Sequence, residues 1–521
     1  MNDHDLTHIG DHYGLGHDAR RPFGITRADR RQGLHLIGQS GTGKSALMLR
    51  MLRQDIMAGE GVTLIDPHGL TAEKLLDHIP PERVKDVCYF NVADTERPVP
   101  FNILDARLPP EKQHLVVSAV VAAFCGIWNL TPERAPRLLN ILKFGVAALL
   151  ETPDATLLSL ERLLTDEAYR VRVVTRHRNP AVRRFWLETF DRKDARFRAE
   201  AIDPVLTRVS DFGIVPLMQR IVGQPRSGFD VRKVLDERTI LICNLDIGQI
   251  GEENAQLLGA LLLTKLELAA RSRTDTPGAS FPDHYLYVDE FHRFPNERWG
   301  NILSGIRAYG LSLTLAHQYG EQLSPSTRSA VFGSVGSTIS FRTGQTDAEE
   351  LAKHYRRDLS EQQFTGLDNH EINARLMVRG RQEVFQGRTL PFEAPAFDLK
   401  AEIIARSRET FGTPAESFLP MPVGPHERRL ASIEKVLHTK PKLRPDSPTA
   451  KAQRLIKGSR PATPPTAPAP RPHSSTVSRT GRPRAATRGS SPETDLRQFG
   501  RRFPKRFARR FASLLRPHPR P

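Results

Sequence analysis

The sequence predicts an α/β protein with a mostly parallel, doubly wound sheet, interrupted by an α-helical inserted subdomain and followed by a disordered basic tail. Three observations predict it. Short apolar strand patterns alternate with helical ones in residues 31–108 and again in 237–395; the stretch between has helical periodicity almost alone; and apolar content collapses beyond residue 440. Strands that alternate with helices pair in parallel, because each crossover carries the chain back across the sheet before the next strand begins.

At 521 residues, 39% hydrophobic and 26% charged, the chain can bury a large core. Cys88, Cys125 and Cys243 stand far apart without metal or C-x-x-C spacing, as in a reducing cytoplasm, and read as core residues. The N-terminus is polar and rich in His and Asp, unlike a signal peptide. The longest apolar run, Leu115–Trp128, is 14 residues and contains Ser118. A membrane span needs about 20, so this is read as a buried helix and no transmembrane span is expected.

Residues 1–30 read as an N-terminal extension. The first part of the α/β domain, 31–108, opens with a buried strand (QGLHLI, 32–37), then Gly38-Gln39-Ser40-Gly41-Thr42-Gly43-Lys44-Ser45, then an apolar-rich helix from Ser45 to about Met57. This run matches G-x-x-x-x-G-K-[ST] between a strand and a helix, the signature of a P-loop. Its glycines let successive N–H groups turn toward the phosphates of ATP, the helix N-terminus adds a favourable dipole, Lys44 neutralises phosphate oxygens, and Ser45 ligates Mg²⁺. Strands GVTLID (61–66) and VCYFNV (87–92) follow.

From 109 to 236 apolar residues recur at three- and four-residue spacing (Leu138, Leu139, Leu142, Val146; Leu157, Leu160, Leu163, Leu164), the helical insertion. Strand patterns return in 237–395 at 239–245, 284–291, 311–318, 337–342 and 375–380, with a helix at roughly Glu253–Arg271. Residues 396–440 read as a C-terminal helical segment. The tail, 441–521, is rich in Pro and Arg and poor in apolar residues, a composition that does not fold. Its last stretch differs: over 504–516, Phe507, Phe511, Leu514 and Leu515 fall on one face of a possible amphipathic helix begun by Pro504.

The net charge of +17 is unevenly placed. From Lys440 onward there are 21 Lys/Arg and three acids; the preceding residues hold 55 and 56. Long-range attraction to a polyanion such as nucleic acid is therefore expected from the tail, not from the neutral body.

Hydrolysis of a triphosphate needs a carboxylate for the metal and a residue that polarises water. YLYVDE supplies both at a strand end: Asp289 for Mg²⁺ and Glu290 for water. Gln318 ends the next strand, where its amide can sense the γ-phosphate. Arg307, just before that strand, is a candidate arginine finger for a neighbouring subunit, and Arg342 in SFRTG is a weaker one.

Together, GQSGTGKS, GVTLIDPHG, PPERVKDVCYFNVADTERPVPFNIL, YVDEF, RAYGLSLTLAHQ and SFRTGQTDAEELA resemble the HerA/FtsK superfamily, above all TraG/TraD-type conjugative coupling proteins of type IV secretion. The resemblance covers about residues 20–395, apart from much of the helical insertion. It implies a RecA-like P-loop ATPase that assembles as a homo-hexamer and moves DNA through a central channel, with Arg307 as the motif arginine, Gln318 as the sensor and Asp66 near the nucleotide. Relaxase, secretion-channel or nuclease partners are implied with it.

Two features depart from that pattern. Leu70 follows IDPHG where an acidic residue is frequent, and the P-loop comes by residue 38, without the N-terminal membrane spans of coupling proteins. The expectation is a cytoplasmic DNA translocase for conjugative or mobile-element transfer, in peripheral contact with the inner membrane face if helix 504–516 binds it. The alternatives are a HerA-like repair helicase working with a nuclease, and an ATPase that drives protein partners at a membrane.

Overall fold

Apolar side chains on successive strand residues point to opposite faces, and here both faces are buried. In the computed structural model Val62 and Leu64 join one core and Ile65 the other; Tyr285 and Tyr287 likewise oppose Leu286 and Val288. The structure describes residues 6–13, 20–105, 108–275, 281–294, 299–391, 394–395 and 397–418. The tail 441–521 and its expected helix at 504–516 lie outside the described residues.

Eleven strands form one sheet: β1 (Leu6–Tyr13), β2 (Arg20–Thr26), β3 (Leu34–Ile37), β4 (Gly61–Asp66), β5 (Val87–Asn91), β6 (Ile240–Asn244), β7 (His284–Val288), β8 (Leu311–His317), β9 (Ser337–Ser340), β10 (Glu371–Val378) and β11 (Arg381–Thr389). Their order is β2-β1-β11-β10-β9-β3-β8-β7-β4-β6-β5. From β9 to β5 every neighbouring pair is parallel; from β2 to β9 every pair is antiparallel. The α/β, mostly parallel fold class stands.

The antiparallel edge differs from the sequence expectation. The residues read as an N-terminal extension supply β1 and β2, and β11 was not read from the sequence either. The hairpin places few large apolar side chains in the core, Ile9, Phe23 and Ile25, so its apolar signal is sparse. Phe23 stacks on Phe385 of β11 with ring centroids 5.1 Å apart, which ties the hairpin to the sheet. Buried Arg30 anchors the same region, donating to Asp55 of the helix Lys44–Met57 and to Tyr287 of β7.

Between β5 and β6 the described chain contains helices and no strand. The apolar run forms the helix Gln113–Trp128, packed against the long helix Glu252–Ser272. Among the described residues no helix is long and apolar enough to cross a membrane. After the sheet, the helix Lys400–Phe411 packs on β5, where the Tyr89 N–H donates to Ser407 Oγ at 2.8 Å.

Candidate functional site

Four adjacent strands in the middle of the sheet, β3, β8, β7 and β4, end at one edge. Their C-terminal ends carry, in that order, the loop from Gly38, Gln318, the Asp289-Glu290 pair, and Asp66. The carboxyl edge of an open parallel sheet is where ligands bind in such folds, because loops diverge there and helix N-termini point into it.

The glycine loop is shaped by backbone needs that other residues do not meet. Gly41 and Gly43 hold φ of +77° and +119°, and a Cβ on Gly43 would lie 2.8 Å from His370 Nδ1. Gly38 passes so close to β9's exit that a Cβ would sit 2.6 Å from Phe341 Cβ. Thr42 Oγ1 donates to the Gln39 carbonyl at 2.7 Å, and the Thr42 carbonyl accepts from the His370 N–H at 2.8 Å. Lys44 Nζ donates to the carbonyls of Gly38 (2.5 Å) and Gln39 (3.1 Å). Burial pulls its pKa down, while Glu290 and Asp289 oppose that shift. Gln39, Ser40, Gly41 and Ser45 are exposed at the mouth.

β7 stops at Val288, so Asp289 and Glu290 lie in the turn that follows, with Glu290 at φ +44°. Glu290 Oε1 accepts from Gln318 Nε2 at 2.9 Å, which joins the two strand ends. Its Oε2 is buried without a hydrogen bond and lies 3.4 Å from His292 Nδ1. Asp289 is buried, and desolvation first, then the Asp66 and Glu290 carboxylates, push its pKa up to about 7. A site that strains a carboxylate in this way suits a cation, which would relieve it.

That shift carries a pH signature. A folded-state value near 7, above the value of about 4 in an unfolded chain, means that the protonated carboxyl favours folding. Its contribution is full below about pH 4 and is lost as pH rises through about 7. Nucleotide-free Asp289→Asn, neutral throughout, is expected to melt at a higher temperature than wild type at pH 8 and at the same temperature at pH 4. Thermal denaturation at the two pH values checks this.

Asp66 is given a structural job. It accepts from the N–H groups of His68 (2.9 Å), Thr71 (2.8 Å) and Ala72 (2.9 Å), fixing the turn from β4 into the helix Leu70–Leu76. Leu70 itself is largely exposed. Arg342 sits against the P-loop of its own chain: its carbonyl accepts from the Gln39 N–H at 2.8 Å, and its side chain reaches Gln39 Oε1 (3.4 Å) and Asn369 Oδ1 (3.3 Å). Arg307 is not brought to the site. It is exposed, ahead of the seven-residue strand β8 and so at the opposite edge of the sheet, roughly 20 Å away.

Sequence reasoning missed His370 and His292. A motif scan has no reason to pick a loop histidine from β10's approach, and His292 follows YVDEF with no spacing signal.

Fold and site define a RecA-like P-loop NTPase fold. Among solved structures, the chain is similar to the bacterial conjugative coupling protein TrwBdeltaN70 in its unbound form, at 16% identity over 72% of this chain and 89% of that chain, with a TM-score of 0.53. It is similar to TrwB in complex with the ATP analogue ADPNP at 15% identity, over 71% and 88%, with a TM-score of 0.54. It is also similar to VirB4 of Thermoanaerobacter pseudethanolicus at 16% identity, over 77% and 99%, with a TM-score of 0.52. No protein-family model matches the sequence, and no curated protein matches it significantly. At these identities the likeness is one of fold, and it agrees with the resemblance read from the motifs.

Proposed function

We propose that this chain is an ATP-hydrolysing motor that moves DNA, working as a homo-hexamer in conjugative or mobile-element transfer. One observation carries the hydrolase reading: Gln318 and Glu290 meet at 2.9 Å beside Asp289, at the ends of β8 and β7, the two strands next in order after the P-loop strand β3. In this reading Gly38 to Ser45 wrap the phosphates, and Ser45 with Asp289 would hold Mg²⁺. Bound there, the metal and Lys44 neutralise charge on the phosphates. Glu290 polarises the attacking water, and Gln318 divides its amide between Glu290 and the γ-phosphate. The structures of TrwB with ADPNP and with ADP and Mg²⁺ support ATP and Mg²⁺ as the ligands.

Arg307 lies at the sheet edge opposite its own P-loop, so as a finger it would serve the nucleotide of a neighbouring subunit, as the ring reading requires.

DNA as cargo is supported by charge. The neutral balance before Lys440 conceals a second basic stretch: residues 170–198 hold ten Lys/Arg and three acids. There Arg172, Arg176, Arg178, Arg184, Arg192 and Lys193 are exposed. Deleting 441–521 is expected to weaken DNA binding and to flatten the dependence of log K on log salt, without abolishing it, since the helical surface remains. Fluorescence anisotropy at several salt concentrations measures the slope; an unchanged slope excludes the tail.

The direct test is ATP turnover with and without DNA, with Lys44→Ala and Glu290→Gln as controls. Turnover that DNA does not stimulate favours protein cargo instead.

A further inference from the structure

Two histidines that no step above uses lie immediately behind the site. His35 is three residues before Gly38 on β3, and His317 is the last residue of β8, directly before Gln318. The strands are parallel neighbours in which Ile37 faces His317 and His35 faces Leu315, so both rings occupy the same face. Both are fully buried. Their Nε2 atoms are 2.7 Å apart, and the rings stack at 4.9 Å with 17° between planes.

The protons on this pair follow from its partners. His317 Nδ1 lies 3.1 Å from the Tyr319 carbonyl, which only accepts, so Nδ1 carries a hydrogen. Burial holds both rings neutral, pushing His317 down to about 3 and His35 well below its usual range. A neutral His317 then has a bare Nε2, and His35 Nε2–H must be the donor. His35 Nδ1 is left as a lone pair, and it is the ring nitrogen of the two that has no hydrogen-bond partner. The result is a directed chain, His35 to His317 to the Tyr319 carbonyl, that brackets Gln318.

The rings are fixed from the sides. Phe332 stands edge-on to His35 at 5.4 Å and 90°, and Phe291, the residue after Glu290, stands edge-on to His317 at 5.2 Å and 78°. Neighbouring strand positions Leu36, Leu313 and Leu315 are filled by leucine, so space alone does not ask for histidine. A hydrogen bond between rings adds direction that an apolar pair lacks.

We propose that His35 and His317 are positioning residues for hydrolysis: their hydrogen bond sets the exit of β8, and with it the Gln318 amide and its partner Glu290, against the P-loop that leaves β3. This rests on the ATPase reading above. It assigns the pair a part in the chemical step and none in holding the nucleotide.

The test uses the full chain. His35→Leu keeps bulk and removes the donor; His35→Met, more adaptable, is made alongside so that a folding defect in one does not void the comparison. His35→Gln restores an Nε2–H donor at the same distance from the backbone. In the apolar variants kcat is expected to fall by about 10- to 100-fold, with KM and the affinity for a fluorescent ATP analogue held within about threefold. His35→Gln is expected to recover most of the loss. An unchanged kcat in the apolar variants, or a His35→Gln as slow as they are at equal melting temperature, overturns the proposal. Spectra of ¹⁵N-histidine protein give a readout without turnover: His35 is expected as the Nε2–H tautomer and His317 as Nδ1–H, and two rings of the same tautomer overturn it as well. Wild type without ATP turnover would instead sink the ATPase reading, leaving the tautomers to be read.

Discussion

Replacing Glu290 by Gln is expected to lower ATP turnover by about 10²- to 10⁴-fold while nucleotide affinity changes by no more than about threefold. The substitution keeps size and shape and removes the group that takes proton density from water. Binding contacts come from the loop Gly38–Ser45 on β3, whereas Glu290 hangs from β7, one strand beyond β8. The variant also leaves the link to Gln318 possible, because an amide oxygen accepts from Nε2 as a carboxylate does. Gln318→Ala is different: it strips Glu290 Oε1 of the Gln318 Nε2 donor in a buried place. If the two act as one unit, the double variant should be little slower than Glu290→Gln alone, since removing one member already disables the pair. Steady-state turnover and equilibrium titration with an ATP analogue, measured on both variants and on the double, decide it. Full turnover in Glu290→Gln would remove Glu290 from the chemistry altogether.

The parts of this site that were legible in the sequence are those whose chemistry depends on spacing along the chain. The P-loop needs its glycines and Lys44-Ser45 in fixed register, and the structure finds them between β3 and a helix that starts at Lys44. Several of the parallel strands were legible because both of their faces are buried, which leaves unbroken apolar runs such as Val87–Phe90, Ile240–Cys243 and Tyr285–Val288. The edge strands were not. β1 and β2 bury few side chains, and β11 alternates on one face only, so a His- and Arg-rich hairpin looks like an extension. Arg342 and Arg307 show the other limit. Sequence placed both as candidate fingers; the register of the sheet puts Arg342 on its own P-loop and Arg307 at the far edge, a distinction that depends on which end of a strand each residue adjoins. The His35–His317 bond joins positions 282 apart, and no local pattern announces it.

Arg30→Ala is expected to destabilise the chain by about 3–5 kcal/mol, a loss far larger than surface arginines cause. Arg30 is only 2% exposed. Its Nη1 donates to Asp55 Oδ1 at 2.6 Å and to Thr7 Oγ1 at 3.0 Å, and its Nη2 donates to Tyr287 OH at 2.7 Å. The guanidinium also lies over the Tyr285 ring, 4.0 Å from its centre. Tyr287 OH in turn donates to Asp55 Oδ2 at 2.5 Å, which closes the network. Removing Arg30 leaves the Asp55 carboxylate buried with one neutral donor, and that uncompensated charge is the main cost. The cost should therefore fall when the charge is removed with it: Arg30→Met combined with Asp55→Leu is expected to recover most of the loss, because both members of the ion pair are gone. Urea denaturation of the single and double variants separates the two contributions. A double variant as unstable as Arg30→Ala would mean that packing over Tyr285, and not the buried charge, holds β1, the P-loop helix and β7 together.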